Sequence, residues 1–297
     1  YLLGYIAGIE WSPTVVRQTN AAGESGEYAG EYVETVGGSP FERWLAESLD
    51  VIAGHADAEY GTQRPLSFTN WITTDPLDHP FEPFVLEDAV SVDPDTIAAT
   101  DAFDAGTFAS YHAYPYYPDM LNHTPAYVEY VDHRGEPNSY AGYLDDLSGA
   151  TDQPLLIAEF GVPDSRGIAH RHVHGREQGR HTEREQGAIV AAMYEDVVEA
   201  GTAGGLVFAW QDEWFKRTWN LATFSEPNRR PFWSNVQTPE QRFGLLTFDP
   251  ADRISLDGSL GEWDDAEWFA PDGSVTSLAD GRDAQRTLSG LAVTHDA

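Results

Sequence analysis

Short apolar runs alternate with amphipathic segments along most of this chain. Five runs have the length and composition of buried β-strands, and they cover residues 1–10, 65–71, 108–114, 154–159 and 204–210. Two segments between them space their apolar residues as helices do. One starts at Ser39, with Pro40 at the first helical position and Glu42 closing a capping box, and runs to about residue 60. The other covers 183–200 and stops at Gly201. This alternation predicts an α/β fold built from βα units.

In two further segments the apolar residues show no regular spacing. The polar, Gly-rich segment 12–38 and the Pro- and Asp-rich segment 72–107 are predicted to be inserted loops.

Two glutamates stand where predicted strands end. The run Pro154-Leu-Leu-Ile-Ala-Glu-Phe-Gly161 places Glu159 at the end of a strand that is apolar enough to be buried on both faces. Glu10 follows Tyr1-Leu-Leu-Gly-Tyr-Ile-Ala-Gly-Ile9 in a matching position. Because parallel strands carry functional groups at their carboxyl ends, this pair of acids predicts a glycosidase. The alternative for either residue is a solvated acid with no role in catalysis.

Composition narrows the classes of partner. Of the 297 residues, 49 are Asp or Glu and 17 are Lys or Arg, giving a formal net charge of -32, so neither nucleic acid nor an anionic membrane is expected as a partner. Lys216 is the only lysine. An acidic, lysine-poor surface of this haloarchaeal type predicts adaptation to high salt, where screening weakens repulsion between carboxylates. A generic acidic secreted enzyme is the alternative.

Other sequence features limit the chemistry and the location. The chain has no cysteine, which excludes disulfides and thiolate metal sites. It has no run of about 18 apolar residues, so no membrane span is predicted. The chain opens inside a predicted strand, and we expect it to be a fragment whose signal peptide is not observable.

The order of four strand-end motifs resembles clan A glycoside hydrolases, the superfamily of cellulase-like and β-galactosidase-like enzymes. In that clan the acid/base Glu ends the fourth strand, a His-x-Tyr pair the sixth, the nucleophile Glu the seventh and a Trp the eighth. Glu10, His112 with Tyr114, Glu159 and Trp210 follow in this order. The resemblance covers residues 1–248 and implies a (β/α)8 TIM barrel, present here as strands 4–8 of an N-terminally truncated domain in an uncharacterised family.

The same resemblance implies a mechanism. Glu159 is expected to be the nucleophile and Glu10 the acid/base of a retaining glycoside hydrolase or transglycosidase. His112 or Tyr114 would bind the nucleophile. The expected substrate is an extracellular polysaccharide or oligosaccharide, which implies an extracellular or cell-surface location. Ile9 departs from the clan, which usually has Asn before the acid/base. This departure raises the alternative of a noncatalytic barrel that binds glycan or serves exopolysaccharide assembly.

Aromatic and polar residues near the strand ends are candidates for binding sugar, because aromatic faces stack on pyranose rings. About half of the aromatic residues there are expected to line a cleft. The segment from Trp210 to Asn220 also offers carboxylates for sugar hydroxyls, and its Lys216 and Arg217 are expected either to meet an anionic substituent or to pair with those carboxylates in a structural loop. The predicted substrate-binding residues are Trp11, Asn70, Trp71, Tyr111, Tyr116, Trp210, Asp212, Glu213, Trp214 and Lys216.

A histidine-rich loop follows Glu159. His170, His172, His174 and His181 are interleaved with Arg166, Arg171, Arg176 and Arg180. The arginines disfavour a bound cation, so we predict neither a metal nor a cofactor. Two interpretations stay open, a positively charged lid that contacts uronate, sulfate or phosphate groups and a purely structural loop.

The pattern changes after residue 248. We predict a linker at 249–253, followed by Ile254-Ser-Leu-Asp-Gly-Ser-Leu-Gly-Glu-Trp263, which resembles the opening of family 9-like carbohydrate-binding modules. That resemblance implies that 254–297 begin a β-sandwich. Because so few residues remain, we expect the module to be cut short.

Overall fold

A computed structural model describes residues 2–213, 215–221, 223 and 238–246, together with the backbone of two short strands at 267–269 and 291–293. The chain divides into two compact units, residues 1–246 and 247–297. In the second unit, β8 (Glu267–Phe269) pairs antiparallel with β9 (Leu291–Val293). The predicted linker and the motif at 254–263 lie outside the described residues.

The first unit is built on a parallel five-stranded sheet. In chain order its strands are β1 (Tyr5–Ile9), β3 (Leu66–Trp71), β5 (Ala109–His112), β6 (Leu155–Phe160) and β7 (Gly204–Val207), and they lie in this same order across the sheet. Two short strands, β2 (Val33–Thr35) and β4 (Ile97–Ala99), form a separate antiparallel pair. The predicted α/β class is confirmed. The described strands do not form a closed barrel, because β1 and β7 are the two edges of the sheet.

In the described part of the chain six helices accompany the strands: α1 (Pro13–Ala22), α2 (Pro40–Tyr60), α3 (Met120–His123), α4 (Pro125–Val128), α5 (Ser139–Gly149) and α6 (Glu183–Glu199). The two helices predicted from the sequence, α2 and α6, are confirmed. The capping box of Ser39 and Glu42 forms as expected, and Gly61 ends α2 in the left-handed conformation.

Both segments predicted to be loops contain regular structure. Segment 12–38 includes α1 and β2, and segment 72–107 includes β4 and two 3₁₀ turns, Ile72–Thr74 and Pro94–Thr96. The prediction failed because tertiary contacts organise these segments. Asp50 of α2 accepts hydrogen bonds from the backbone N–H groups of Tyr32 and Val33, at 2.7 and 2.9 Å. Strands of three residues are also too short to show an alternation of apolar and polar positions.

The helices cover one face of the sheet. One core cluster joins α2 to β3 through residues such as Leu45, Leu49 and Phe68, and another joins α5 and α6 to β5 and β6. The opposite face carries small polar side chains, among them Thr69 and Ser110, whose hydroxyl oxygens lie 2.8 Å apart. Side chains therefore alternate between a helix-facing core and a polar face that leads to the carboxyl edge of the sheet.

None of the helices in the described part of the chain has the length and apolar character needed to cross a bilayer.

Candidate active site

Two carboxylates and an imidazole meet at the carboxyl edge of the sheet. Glu10 follows β1, His112 ends β5 and Glu159 lies in β6. Nδ1 of His112 lies 2.9 Å from Oε1 of Glu10 and 3.2 Å from Oε2 of Glu159. The imidazole is buried, whereas the side chains of Glu10 and Glu159 are 34% and 25% exposed. Of these two contacts the one with Glu10 has hydrogen-bond geometry, and Glu159 lies beside the same nitrogen, so the ring stands between the two acids.

A register shift turns Glu159 towards the polar face of the sheet. Leu155, Ile157 and Phe160 all pack in the helix-facing core, although positions 157 and 160 would lie on opposite faces of a regular strand. The pairing of β6 with β5 is irregular at this point, and His112 pairs with Glu159. Without the irregularity, Glu159 would share the face of Leu155 and Ile157 and point into the core.

Glu10 has a left-handed backbone. Its φ is 51°, and its N–H donates to the carbonyl oxygen of Thr69 at 3.1 Å. For a residue with a Cβ this conformation costs about 1–2 kcal/mol. Gly8, two residues earlier, also has a positive φ, of 82°, and lies where the register between β1 and β3 shifts. Strain of this kind concentrates at functional sites, and here it accompanies the placement of a carboxylate beside His112.

Tyr114 donates to the second carboxylate. Its hydroxyl lies 2.8 Å from Oε2 of Glu159, and its ring packs edge-on against Phe208 and Phe243. Burial, together with the nearby Tyr116 hydroxyl and the Glu159 charge, raises the pKa of Tyr114 well above its ordinary value. The phenol therefore stays protonated and remains a hydrogen-bond donor.

Several groups act on the protonation of Glu159. Burial raises the pKa of its carboxyl above the ordinary value, and the charge of Glu10 adds to this rise. The electrostatic effect of His112, the hydrogen bond from Tyr114 and the charge of Lys216 lower the pKa of Glu159, but they offset burial only in part. Burial thus disfavours the charge of Glu159, and three identified neighbours oppose this effect.

Both carboxylates open into one cavity of about 650 Å³, a size typical of ligand sites. Its charged lining residues are Glu10, Glu87, Glu159, Glu240 and Lys216. Its aromatic lining residues are Trp71, Tyr114, Tyr116, Tyr117, Phe208, Trp219 and Phe243. Ile9, His170 and Gln178 complete the lining among the described residues.

Four of the rings form a continuous row. Trp71 lies 5.5 Å from Tyr117, Tyr117 lies 5.1 Å from His170, and His170 lies 5.9 Å from Trp219, measured between ring centroids. Burial lowers the pKa of His170, so this imidazole is neutral and presents an uncharged ring. Four adjoining rings thus line the cavity.

Three of the predicted substrate-binding residues, Trp71, Tyr116 and Lys216, line the cavity. Asn70 and Tyr111 do not, and their prediction is corrected. Both are buried on the helix-facing side of their strands, where the Asn70 amide donates to the carbonyl oxygens of Thr74 and Val92. The alternation of side chains along a strand explains this placement. Thr69 and Ser110, which directly precede Asn70 and Tyr111, face the polar side, so Asn70 and Tyr111 face the helices.

Trp11 is a second correction. Its ring lies 5.5 Å from Phe41 and 5.3 Å from Trp44, in the cluster beneath α2, and it covers Gly8 so closely that a Cβ there would lie 2.3 Å from it. Trp11 directly follows the left-handed residue Glu10, and it does not belong to the cavity lining.

Among the described residues that follow β7 and were predicted to bind substrate, only Lys216 lines the cavity. Trp210 is 70% exposed and lies outside the cavity lining. Asp212 accepts a hydrogen bond from the N–H of Gly244 at 2.9 Å, and Glu213 pairs with Lys216 at 3.1 Å. These contacts favour the interpretation of an ion-paired loop over direct contact of Asp212 or Glu213 with sugar. The predicted site residue Trp214 lies outside the described residues.

Sequence reasoning missed Glu87, Gln178 and Glu240 altogether. Glu240 accepts a hydrogen bond from Gln178 at 2.9 Å, and burial raises its pKa. All three lie in irregular segments far from any strand end, so no local pattern marks them. Tyr117 and Trp219 were recognisable as aromatic residues next to strand ends, and both line the cavity.

The histidine-rich loop is anchored at several points. Arg176 donates to Asp196 of α6 at 2.9 Å, and the ring of His172 lies 2.9 Å from the hydroxyl of Ser139. None of the loop's arginines lines the cavity among the described residues; the loop presents His170 and Gln178 there instead. These contacts support the structural interpretation of the loop rather than that of a positively charged lid.

The site also has a donor set that suits a metal ion. One ligand atom from each of Glu10, His112 and Glu159 lies within 4.8 Å of the other two. Two carboxylates and an imidazole fit zinc, manganese or iron. In the arrangement described here, the imidazole nitrogen instead lies within hydrogen-bonding distance of both acids.

Comparisons of the chain with family models, with curated proteins and with solved structures found no match. The function of the cavity therefore has to be inferred from its geometry.

Proposed function

We propose that the chain is the catalytic part of a retaining glycoside hydrolase or transglycosidase that acts on a polysaccharide or oligosaccharide. One observation carries the proposal: a carboxylate oxygen of Glu10 and one of Glu159 lie within 4.8 Å of each other in a single aromatic cavity. Retaining glycosidases hold their two carboxyl groups about 5–5.5 Å apart, whereas inverting enzymes leave about 6.5–9.5 Å for a water molecule.

In the first step Glu159 is the nucleophile. Its carboxylate oxygen forms a bond to the anomeric carbon, the glycosidic C–O bond breaks, and the leaving oxygen takes a proton from Glu10. Tyr114 and His112 both lie against Oε2 of Glu159, which leaves Oε1 to attack. The product is a covalent glycosyl ester of Glu159.

In the second step Glu10 acts as a base. It takes a proton from water, or from an acceptor sugar hydroxyl, as that oxygen bonds to the anomeric carbon and the ester bond to Glu159 breaks. The two inversions restore the original configuration. His112 is placed to donate to whichever carboxylate carries the charge at each stage.

The proposed fold is five consecutive strands of a (β/α)8 barrel. Parallel strands that follow chain order, with helices on one face and small polar side chains on the other, support this arrangement. An extracellular or cell-surface location follows from a polymeric substrate. A carbohydrate-binding β-sandwich after residue 253 remains part of the proposal.

A noncatalytic glycan-binding barrel is the second candidate. Ile9, adjacent to Glu10, is 55% exposed and presents a hydrocarbon side chain to the cavity, where an amide would contact a sugar hydroxyl. Loss of that contact weakens transition-state stabilisation but not stacking of sugars on the aromatic row.

The test is covalent trapping. Dinitrophenyl 2-deoxy-2-fluoro glycosides of the gluco, galacto, manno and xylo series are incubated with the protein, and its intact mass and peptides are measured. We expect one sugar series to add one fluoroglycosyl group, on the peptide that contains Glu159, and Glu159→Gln to add none. A parallel screen of neutral and acidic polysaccharides follows new reducing ends, with the anomeric configuration of the product read by NMR.

Three results would contradict the proposal. They are inversion of configuration, a label on another residue, and activity that disappears with EDTA and returns with a divalent metal. Binding of glycans without label or hydrolysis would favour the noncatalytic candidate.

A further inference from the structure

The cavity has an excess of negative charge beyond the two proposed catalytic acids. Glu87 and Glu240 also line it, so four carboxylates face a single lining cation, Lys216, among the described residues. Burial raises the pKa of Glu87 and of Glu240, which marks both as groups that already lack solvation for their charge. An anion that enters the cavity would meet more carboxylates than cations.

Lys216 is already neutralised by protein groups. Its Nζ lies 3.1 Å from Glu213 and 3.6 Å from Glu240, and 4.5 Å above the ring of Phe208. Two carboxylates thus surround one ammonium group, and the local charge is negative before any ligand binds. An anionic substituent would have to displace one of these partners to reach the lysine.

Two arginines of the first unit pair with carboxylates outside the cavity lining. Arg176 pairs with Asp196, and Arg242 pairs with Asp164 and Glu183. His170, which does line the cavity, is kept uncharged by burial. No arginine belongs to the lining in the part of the chain that the structure describes. Anion-binding sites normally provide arginine or lysine donors that have no other partner.

From this arrangement we infer that the cavity selects sugars without negative charge and rejects uronate, sulfated and phosphorylated residues, an inference that rests on the proposed glycan-binding function. Glu87, Glu240 and Gln178 supply hydrogen-bond acceptors and an amide donor for neutral hydroxyls. The row from Trp71 to Trp219 supplies the stacking faces. The substrate is therefore a neutral polysaccharide, and a carboxylate at C6 is selected against.

The test compares the same sugar with and without the charge. Neutral gluco-, manno- and galacto-oligosaccharides, and the same oligosaccharides oxidised at C6 to uronates, are titrated into Glu159→Gln by calorimetry in about 1 M KCl, where the Debye length is about 3 Å. We expect any oligosaccharide that binds to lose at least about tenfold in affinity on oxidation, because the new carboxylate is brought close to carboxylates of the cavity. Equal or tighter binding of the oxidised form would overturn the inference.

A second experiment removes the carboxylate partners of Lys216. Adding Glu213→Gln and Glu240→Gln leaves Lys216 without its two carboxylate partners, and the affinity lost on oxidation should shrink several-fold. The control adds Glu47→Gln and Glu59→Gln, which remove the same charge from exposed positions of α2 and should leave the discrimination unchanged. Equal effects of the two pairs would overturn the role given to Lys216.

Failure of this inference can be told apart from failure of the hydrolase proposal. Hydrolysis of uronate chains in preference to neutral chains overturns the inference but supports the glycosidase proposal. Selective binding of neutral sugars without hydrolysis keeps the inference and favours the noncatalytic candidate. No binding of any of these sugars by the folded protein overturns both.

Discussion

The hydroxyl of Tyr114 donates a hydrogen bond of 2.8 Å to Oε2 of Glu159. The same oxygen lies 3.2 Å from Nδ1 of His112. The donor from Tyr114 and the nearby imidazole both favour the ionised form of Glu159 and restrict the orientation of its carboxyl group. In the proposed mechanism this arrangement orients the nucleophile before substrate binds.

The first prediction concerns this hydrogen bond. Tyr114→Phe keeps the ring and removes the donor, so Glu159 should hold its proton to higher pH and the acid limb of kcat/KM should move upward. A hydrogen bond to a charged group contributes about 1.5–3 kcal/mol, so kcat/KM should fall roughly tenfold to a hundredfold. Tyr140→Phe is the matched control, because that buried hydroxyl donates to the carbonyl oxygen of Ala113 and not to a carboxylate. An equal shift of the acid limb of kcat/KM in Tyr114→Phe and Tyr140→Phe would contradict the prediction.

The sequence predicted the strands and the helix that surround this site. Apolar runs located the five strands, the capping box at Ser39 located α2, and the order of motifs brought Glu10, His112 and Glu159 to one edge of the sheet. These features are local or follow from parallel topology. The alternation of side chains within β3 could also have excluded Asn70 from the site. Asn70 lies two and four positions from Phe68 and Leu66, so it faces the helices as they do.

Other features could not be predicted in this way. The register shift that turns Glu159 to the cavity depends on packing of the whole sheet and leaves no mark in the sequence of β6. Gln178 and Glu240 meet through loops that are separated widely along the chain. The single lysine was conspicuous, but its neutralisation by Glu213 and Glu240 required coordinates.

The second prediction uses two variants that move one pKa in opposite directions. Lys216 lowers the pKa of Glu159 and Glu10 raises it. Because the nucleophile must be ionised, activity is lost as pH falls through this pKa. Lys216→Met should therefore move the acid limb to higher pH, and Glu10→Gln should move it to lower pH. The rate of labelling by an activated fluoroglycoside, measured across pH, reports both shifts. Shifts of the same sign would contradict this account.

The third prediction concerns the acid/base. In Glu10→Ala, substrates with good leaving groups such as dinitrophenolate should still form the glycosyl ester, because they need little protonation. Breakdown of the ester should be slow, and added azide should restore turnover and yield a glycosyl azide with retained configuration. Glu213→Ala, which removes a carboxylate that does not line the cavity, should show no azide effect. Equal loss on all substrates without rescue would point to another acid.

The fourth prediction concerns a buried ion pair. The side chain of Asp196 is fully buried and pairs with Arg134, Arg176 and Asn138. Asp196→Ala should lower the free energy of unfolding by about 3–5 kcal/mol, since it removes a fully buried carboxylate that Arg176, Arg134 and Asn138 all contact. Its neighbour Glu195 also pairs with Arg134 but is 58% exposed, so Glu195→Ala should cost no more than about 1 kcal/mol. Denaturant unfolding measures both, and similar losses would contradict the distinction.

The last prediction concerns salt. With a net charge of -32, carboxylates repel one another across the surface over a Debye length of about 10 Å at 0.1 M salt and about 3 Å at 1 M. The unfolded chain spreads these charges further apart, so low salt destabilises the folded state more than the unfolded one. The Tm should therefore rise clearly from about 0.1 M to about 2 M KCl, and part of the loss at low salt should be recovered near pH 4.5, where carboxylates begin to protonate. Glu47→Gln, Glu59→Gln and Glu199→Gln together remove three exposed charges and should reduce the slope of Tm against salt. A Tm that stays flat over this range, or an unchanged slope in the triple variant, would show that the acidic surface is not what makes the fold salt-dependent.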